Sequence, residues 1–259
     1  MTRNDLNHLK TWFTEYVSNF YSDDPDYNYL IRLKEEHTIR VCRNIAMLGK
    51  ELGLSEQDMV LAETIALFHD IGRFKQYKTY RTFSDFVSEN HARLGLRQMA
   101  IHGVLSACTT AEKRLITRAI AYHNAATLPV NENGNALFFM RLIRDADKLD
   151  IWKLFIDYCN EREKKHSSAI ELGLPDDPIY SQRVIESLKQ RRFVLMQDLK
   201  TLNDFKLLQI GWVYDLNFVP SFQIVKKKKY LEKLEEALPQ SKEIKEAVKL
   251  AHNHVNSFI

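Results

Sequence analysis

Leu67-Phe68-His69-Asp70-Ile71-Gly72-Arg73 is the stretch on which the reading of this chain turns. The apolar run Thr64-Ile65-Ala66-Leu67-Phe68 delivers a histidine and a carboxylate side by side, and Gly72 is expected to end the helix that carries them. Burying a carboxylate is costly unless it is paired, hydrogen-bonded or bound to a metal. Adjacent helix residues do not face one another. Both can nevertheless reach a metal near the edge between their directions, above all where a helix frays. Taken alone, the pair also admits a plainer reading, a histidine at the core edge bonded to its neighbour.

The rest of the chain shifts the balance. Three further segments place a histidine or an aspartate near the end of an apolar helical pattern: Glu35-Glu36-His37-Thr38-Ile39-Arg40-Val41, Ile120-Ala121-Tyr122-His123-Asn124 and Arg144-Asp145-Ala146-Asp147-Lys148-Leu149-Asp150. A fourth histidine, His91, opens Asn90-His91-Ala92-Arg93-Leu94-Gly95. Nitrogen and oxygen donors with no cysteine among them suit Mn, Fe, Co, Ni, Zn or Mg. Cys42, Cys108 and Cys159 are far apart and odd in number, and read as buried thiols in a reducing compartment.

The order His37, His69-Asp70, Asp147 resembles the HD superfamily of metal-dependent phosphohydrolases, and the phrases LFHDIGRF and LIRDADKLD are similar to its two most recognisable blocks. The resemblance covers roughly residues 30 to 150 and continues less specifically beyond them. It implies an all-α fold, a helical bundle with a metal site between helices and additional C-terminal helices. It also implies His37, His69, Asp70 and Asp147 as metal ligands. His91 and His123 stand where two-metal members carry further histidines, and Asp70 would then bridge two ions. The cofactor so implied is a divalent ion (Mn, Fe, Co, Ni, Zn or Mg), one or two per chain. Asp145 and Asp150 fall outside the ligand pattern. Asp145 is expected to orient a ligating histidine from behind, and Asp150 to cap a helix or form an ion pair.

Apolar periodicity predicts helices over 5–21, from near Tyr29 to Leu52, and over 56–70 with Ser55 as N-cap. His91 starts another, Ala111 to His123 forms the next, and Phe138, Phe139, Leu142 and Ile143 lie on the one that delivers Asp147. After Gly72 the pattern becomes irregular, and Arg73-Phe74-Lys75-Gln76-Tyr77-Lys78-Thr79-Tyr80-Arg81 mixes cations with aromatics. Beside the metal motif this reads as a wall for a negatively charged substrate. Arg73 is its best phosphate-gripping candidate, because a guanidinium presents two donors to two oxygens. Lys148 is a second candidate for substrate phosphate. The expected organisation is a metal-binding domain over 1–158, an inserted loop at 159–180 and a C-terminal helical extension over 181–259. Lys226 to Lys229 are expected near a helix start, as a solvated face.

An apolar share of 45% and a charged share of 27% are ordinary for a soluble globular chain of 259 residues. A net charge of +3 is too small to argue for nucleic acid or a membrane surface. The polar start Met1-Thr2-Arg3-Asn4-Asp5 has no signal-peptide core, and no apolar run approaches about 18 residues, so the expectation is a cytoplasmic protein. The expected activity is hydrolysis of a small phosphate ester or anhydride, plausibly a nucleotide, by attack of metal-bound hydroxide. Two alternatives stand beside it: a di-iron oxygenase built on the same ligands, and a catalytically silent nucleotide-binding or protein-interaction module. The aromatic segment around Trp212 leaves a homo-oligomer open.

Overall fold

The computed structural model describes residues 1–161 and 169–259, and the regular structure of those residues is helical throughout, with no strand. The chain therefore has an all-α fold. Its contacts divide it into two compact units, Met1–Asp147 and Lys148–Ile259. Of the expected inserted loop at 159–180, residues 162–168, His166 among them, lie outside the described residues. Among the described residues no helix is long and apolar enough to cross a membrane.

The first unit contains α1 (Arg3–Ser18), α2 (Pro25–Glu51), α3 (Glu56–Phe68), α4 (Gly72–Tyr80), α5 (His91–Ile101), α6 (Thr110–Tyr122) and the start of α7 (Gly134–Glu161). Its centre is α3. Every residue from Val60 to Phe68 is buried, the pattern of a helix covered on all sides, and α1, α2 and α6 pack against it. On α2 the buried positions His37, Val41, Ile45 and Leu48 recur at intervals of three and four, so the histidine faces the same interior as the aliphatic core.

Polar caps set where these helices start. The Asp24 carboxylate accepts from the amides of Asp26 and Tyr27, and Pro25 occupies the first turn, where its missing N–H costs nothing. This is why α2 begins at Pro25, ahead of the expected start near Tyr29. Ser55, Asn90 and Thr109 cap α3, α5 and α6, each accepting the backbone N–H three residues on.

Gly72 does not end a helix; it opens α4. The helix before it has already stopped at Phe68, and His69 to Ile71 form the connecting turn. A Cβ at Gly72 would lie 2.1 Å from the His91 carbonyl oxygen and 2.6 Å from the Gly95 nitrogen. The residue is glycine because α5 passes over it at backbone distance.

The second unit contains the remainder of α7 with α8 (Gln182–Lys189), α9 (Leu202–Gly211), α10 (Val219–Lys228), α11 (Tyr230–Glu236) and α12 (Lys242–Asn256). Trp152 is fully buried there, and its indole N–H donates to the Gln209 carbonyl at 3.0 Å. On α12 the buried residues Ile244, Ala247, Val248, Ala251 and Val255 form one apolar stripe. Lys226, Lys227 and Lys228 form the last turn of α10, and Lys229, in the left-handed conformation, is the N-cap of α11, so the run stands just before a helix start as expected. Cations at the C-terminal end of α10 complement its dipole.

Candidate metal centre

Five helices of the first unit bring buried side chains to one place. His37 comes from the middle of α2, His69 and Asp70 from the turn after α3, and His91 from the first position of α5. His123 is the C-cap of α6, and Asp147 comes from α7. Four of these six are histidines, and all four are buried.

Backbone geometry aims two of the rings. His69 Nδ1 lies 2.7 Å from the Ala66 carbonyl oxygen, and His123 Nδ1 lies 2.8 Å from that of Ile120. A carbonyl only accepts, so each ring carries its proton at Nδ1 and presents a lone pair at Nε2. The two helix ends thus solve the same problem in the same way, with the carbonyl three residues back holding the ring. His91 uses a carboxylate instead: its Nδ1 donates to Asp85, 2.7 Å from Oδ2 and 2.9 Å from Oδ1.

Asp70 lies between the ring pairs and divides its oxygens between them. Its Oδ2 is 3.6 Å from His37 Nε2 and 4.0 Å from His69 Nε2. Its Oδ1 is 3.2 Å from His91 Nε2 and 3.8 Å from His123 Nε2. Two donor sets result, His37–His69–Asp70 and Asp70–His91–His123, each with its ligand atoms within 4.8 Å of one another. Asp147 joins the first set, its Oδ1 lying 3.1 Å from His37 Nε2 and 3.7 Å from His69 Nε2.

The electrostatics favour a cation in this position. Burial raises the Asp70 pKa, but Lys34, His69 and Arg73 together outweigh it and hold the carboxyl well below the usual range. Burial lowers the His123 pKa to about 4, so this ring is neutral at pH 7. His91 Nε2 and His123 Nε2 nevertheless face one another at 2.9 Å. Rings that both carry their single proton at Nδ1 would oppose two lone pairs there, an arrangement that a cation relieves. Asp147 Oδ1 is itself buried with no hydrogen-bond partner. Converging lone pairs, an ionised buried carboxylate and an orphaned carboxylate oxygen are what a divalent ion satisfies, and nitrogen-rich donors suit a transition metal. The residues fit the ion.

The remaining expected residues lie as follows. Arg73 Nε is 3.4 Å from Asp70 Oδ1, while its Nη1 donates to Gln76 Oε1, the Phe83 carbonyl and Asp85 Oδ1. Much of its hydrogen-bonding capacity is therefore spent inside the protein. Lys148 Nζ pairs with Asp215 Oδ2 at 2.6 Å within the second unit. Asp145 and Asp150 are both buried on α7. Two other cations of the Arg73–Arg81 stretch rest on aromatic rings: Lys78 lies 5.4 Å from the centroid of Phe20, and Arg81 lies 4.5 Å from that of Tyr27.

Three residues near the centre escaped the sequence reading. Lys34 Nζ lies 3.1 Å from Asp70 Oδ2 and 5.2 Å from the Phe83 ring centroid. It precedes His37 by one helical turn, so the i, i+3 relation on α2 was a usable signal. Asp85 sits in the connection between α4 and α5, where no periodicity marks it. Arg144 is buried and donates to the carbonyls of Tyr122, His123 and Ala125, holding the chain where it leaves α6.

Residues 35–152 match the family model of the HD domain. That segment contains all six converging side chains, as well as Asp85 and Arg144. Comparison with curated proteins and with solved structures returns no match.

Proposed function

From the premise that residues 35–152 are an HD domain, the fold of a metal-dependent phosphohydrolase superfamily, we propose that this protein is a two-ion phosphohydrolase acting on a small phosphate ester or anhydride. The observation that carries the reading is the division of Asp70, one oxygen toward His37 and His69 and the other toward His91 and His123. His37, His69, Asp147 and Asp70 would hold one ion, and His91, His123 and Asp70 the other. Divalent ions supply Lewis acidity, acidifying a water and taking up charge from phosphoryl oxygens.

The chain's own groups support this use. The Nδ1 bonds of His69, His91 and His123 keep the Nε2 lone pairs directed inward at no reorganisation cost. Lys34 keeps a fifth of its side chain exposed and has three donors, of which one faces Asp70, so it can also meet a phosphoryl oxygen. Burial of the surrounding rings excludes bulk water and strengthens each of these interactions.

The test combines ion content with turnover. Protein purified without added metal should carry two ions per chain by elemental analysis. It should release phosphate from aryl phosphates or nucleotides with and without oxygen, and chelation should abolish turnover until an ion is restored. Absence of phosphate release from the two-ion protein across mono-, di- and polyphosphates refutes the reading. The same bridging carboxylate with four imidazoles also suits two irons, so two irons with substrate-dependent oxygen uptake would select the oxygenase instead. Ions without any turnover would select the silent module.

A further inference from the structure

His69 and His123 rest Nδ1 on backbone carbonyls, whereas His91 rests it on a side chain of a separate connection, a carboxylate with several further duties. Asp85 Oδ2 accepts from His91 Nδ1 at 2.7 Å and from Asn124 Nδ2 at 3.0 Å. Its Oδ1 accepts from His91 Nδ1 at 2.9 Å, from Gln76 Nε2 at 2.9 Å and from Arg73 Nη1 at 3.0 Å. Four side-chain donors from three parts of the unit thus converge on one carboxylate, and the His91 backbone N–H also faces Oδ1 at 3.4 Å. Two of them come from α4, one opens α5, and the fourth directly follows His123.

We infer that Asp85 is a positioning residue for the second ion: it accepts the hydrogen bond of His91 Nδ1–H and so turns the Nε2 lone pair toward Asp70 and His123. The inference rests on the two-ion reading and extends it to a residue that touches neither ion. A ring held by a backbone carbonyl keeps its bearing as long as its helix persists. The ring of His91 depends on Asp85, because at the first position of α5 no residue of that helix lies three places back to hold it. An anionic acceptor also makes the imidazole a better donor than a carbonyl does. The two donor sets therefore differ in what supports them, and loss of Asp85 falls first on the set that contains His91.

Full-length protein dialysed against Mn²⁺ should hold two ions per chain. Asp85→Ala should weaken the second ion about 10- to 100-fold while leaving the first within twofold. Asp85→Asn, whose amide oxygen still accepts from Nδ1, should recover most of the loss. Ser88→Ala removes the Gln76–Ser88 and Ser88–Ser84 hydrogen bonds of the same connection without touching His91, and should leave both ions unchanged. In the metal-free, ¹⁵N-histidine-labelled chain, with His91→Gln for assignment, Asp85→Ala should shift His91 from the Nδ1–H tautomer to a mixture, and Asp85→Asn should not. The proposal is overturned if Asp85→Ala keeps the second ion, if it weakens both ions equally, if Ser88→Ala matches it, or if the tautomer is unmoved. Should Asp85→Ala not fold, an Asp85→Asn chain that loses the Nδ1–H tautomer overturns it as well. One ion in the wild-type chain would sink the two-ion reading, and the tautomer would still decide the role of Asp85.

Discussion

Gly72→Ala is the sharpest single perturbation the structure offers. The added methyl would sit 2.1 Å from the His91 carbonyl oxygen, 2.6 Å from the Gly95 nitrogen and 3.0 Å from the Gly95 Cα. All three are backbone atoms, so no rotamer change relieves the contact. Ordinary van der Waals distance for a Cβ begins at 3.4 Å, so α4 and α5 must separate by about 1.3 Å. Overpacking of this kind costs about 1–3 kcal/mol. At about 2–4 °C per kcal/mol, the melting temperature should fall by about 2–12 °C. The larger consequence is local. His91 opens α5, and ion ligation tolerates displacements of only about 0.2 Å, so the second ion should be lost while the first stays. Thermal melts read the stability, and elemental analysis after dialysis reads the ions. Gly95→Ala is the built-in comparison: its Cβ would meet the Ile71 Cγ2 methyl at 3.0 Å and the Gly72 nitrogen at 3.1 Å, contacts about 1 Å longer than the closest one at Gly72, and its cost should be smaller. A Gly72→Ala chain that melts within about 1 °C of wild type and binds two ions would refute the reasoning.

Three more outcomes are expected. Asp147→Ala should release the first ion and keep the second, whereas Asp70→Ala should release both, because only Asp70 faces both ring pairs; ion counts on each purified variant decide. Lys34→Gln should leave both ions in place and raise KM for a phosphate substrate about tenfold or more, the worth of one charge-assisted hydrogen bond, and an unchanged KM would remove Lys34 from substrate binding. Glu63 accepts from Lys10 at 2.8 Å and pairs with Arg3, and although burial raises its pKa, those two cations outweigh it and leave it below 4.5. A carboxyl depressed in the folded state stabilises above its unfolded pKa and loses that contribution as pH falls through the folded one. Melting temperatures of wild type and Glu63→Gln should therefore differ most near neutrality and converge in acid, and a constant offset would contradict the assignment.

The parts of this molecule legible in the chain are those written locally. His69-Asp70 stands out at the end of an apolar run because helical periodicity and the residue types coincide, while Asp147 is set apart from Asp145 and Asp150 by the resemblance of its block. The separate helices follow from the same periodicity, and the all-α class from the resemblance that these blocks carry. What escaped is written across the fold. The partners of Asp85 come from Arg73, Gln76, His91 and Asn124, and no spacing within the connection foretells that they meet. Gly72 was misread for a related reason: glycine commonly ends helices, whereas here it admits a neighbouring backbone that only tertiary packing supplies. Pro220 suits a helix's first turn and marks where α10 begins, but nothing local foretells the break at Lys229 between α10 and α11.

The order in which the converging side chains leave the ribosome adds a consequence of its own. Asp70, His91 and His123 have all been synthesised by residue 123, and Asp147, the further carboxylate of the other set, follows 24 positions later. At about 5–20 residues per second, that lag is roughly 1–5 s. A nascent chain therefore holds both three-residue sets before Asp147 adds a second carboxylate to one of them. Vectorial synthesis completes the four-ligand set last, although His37 precedes His91 along the chain.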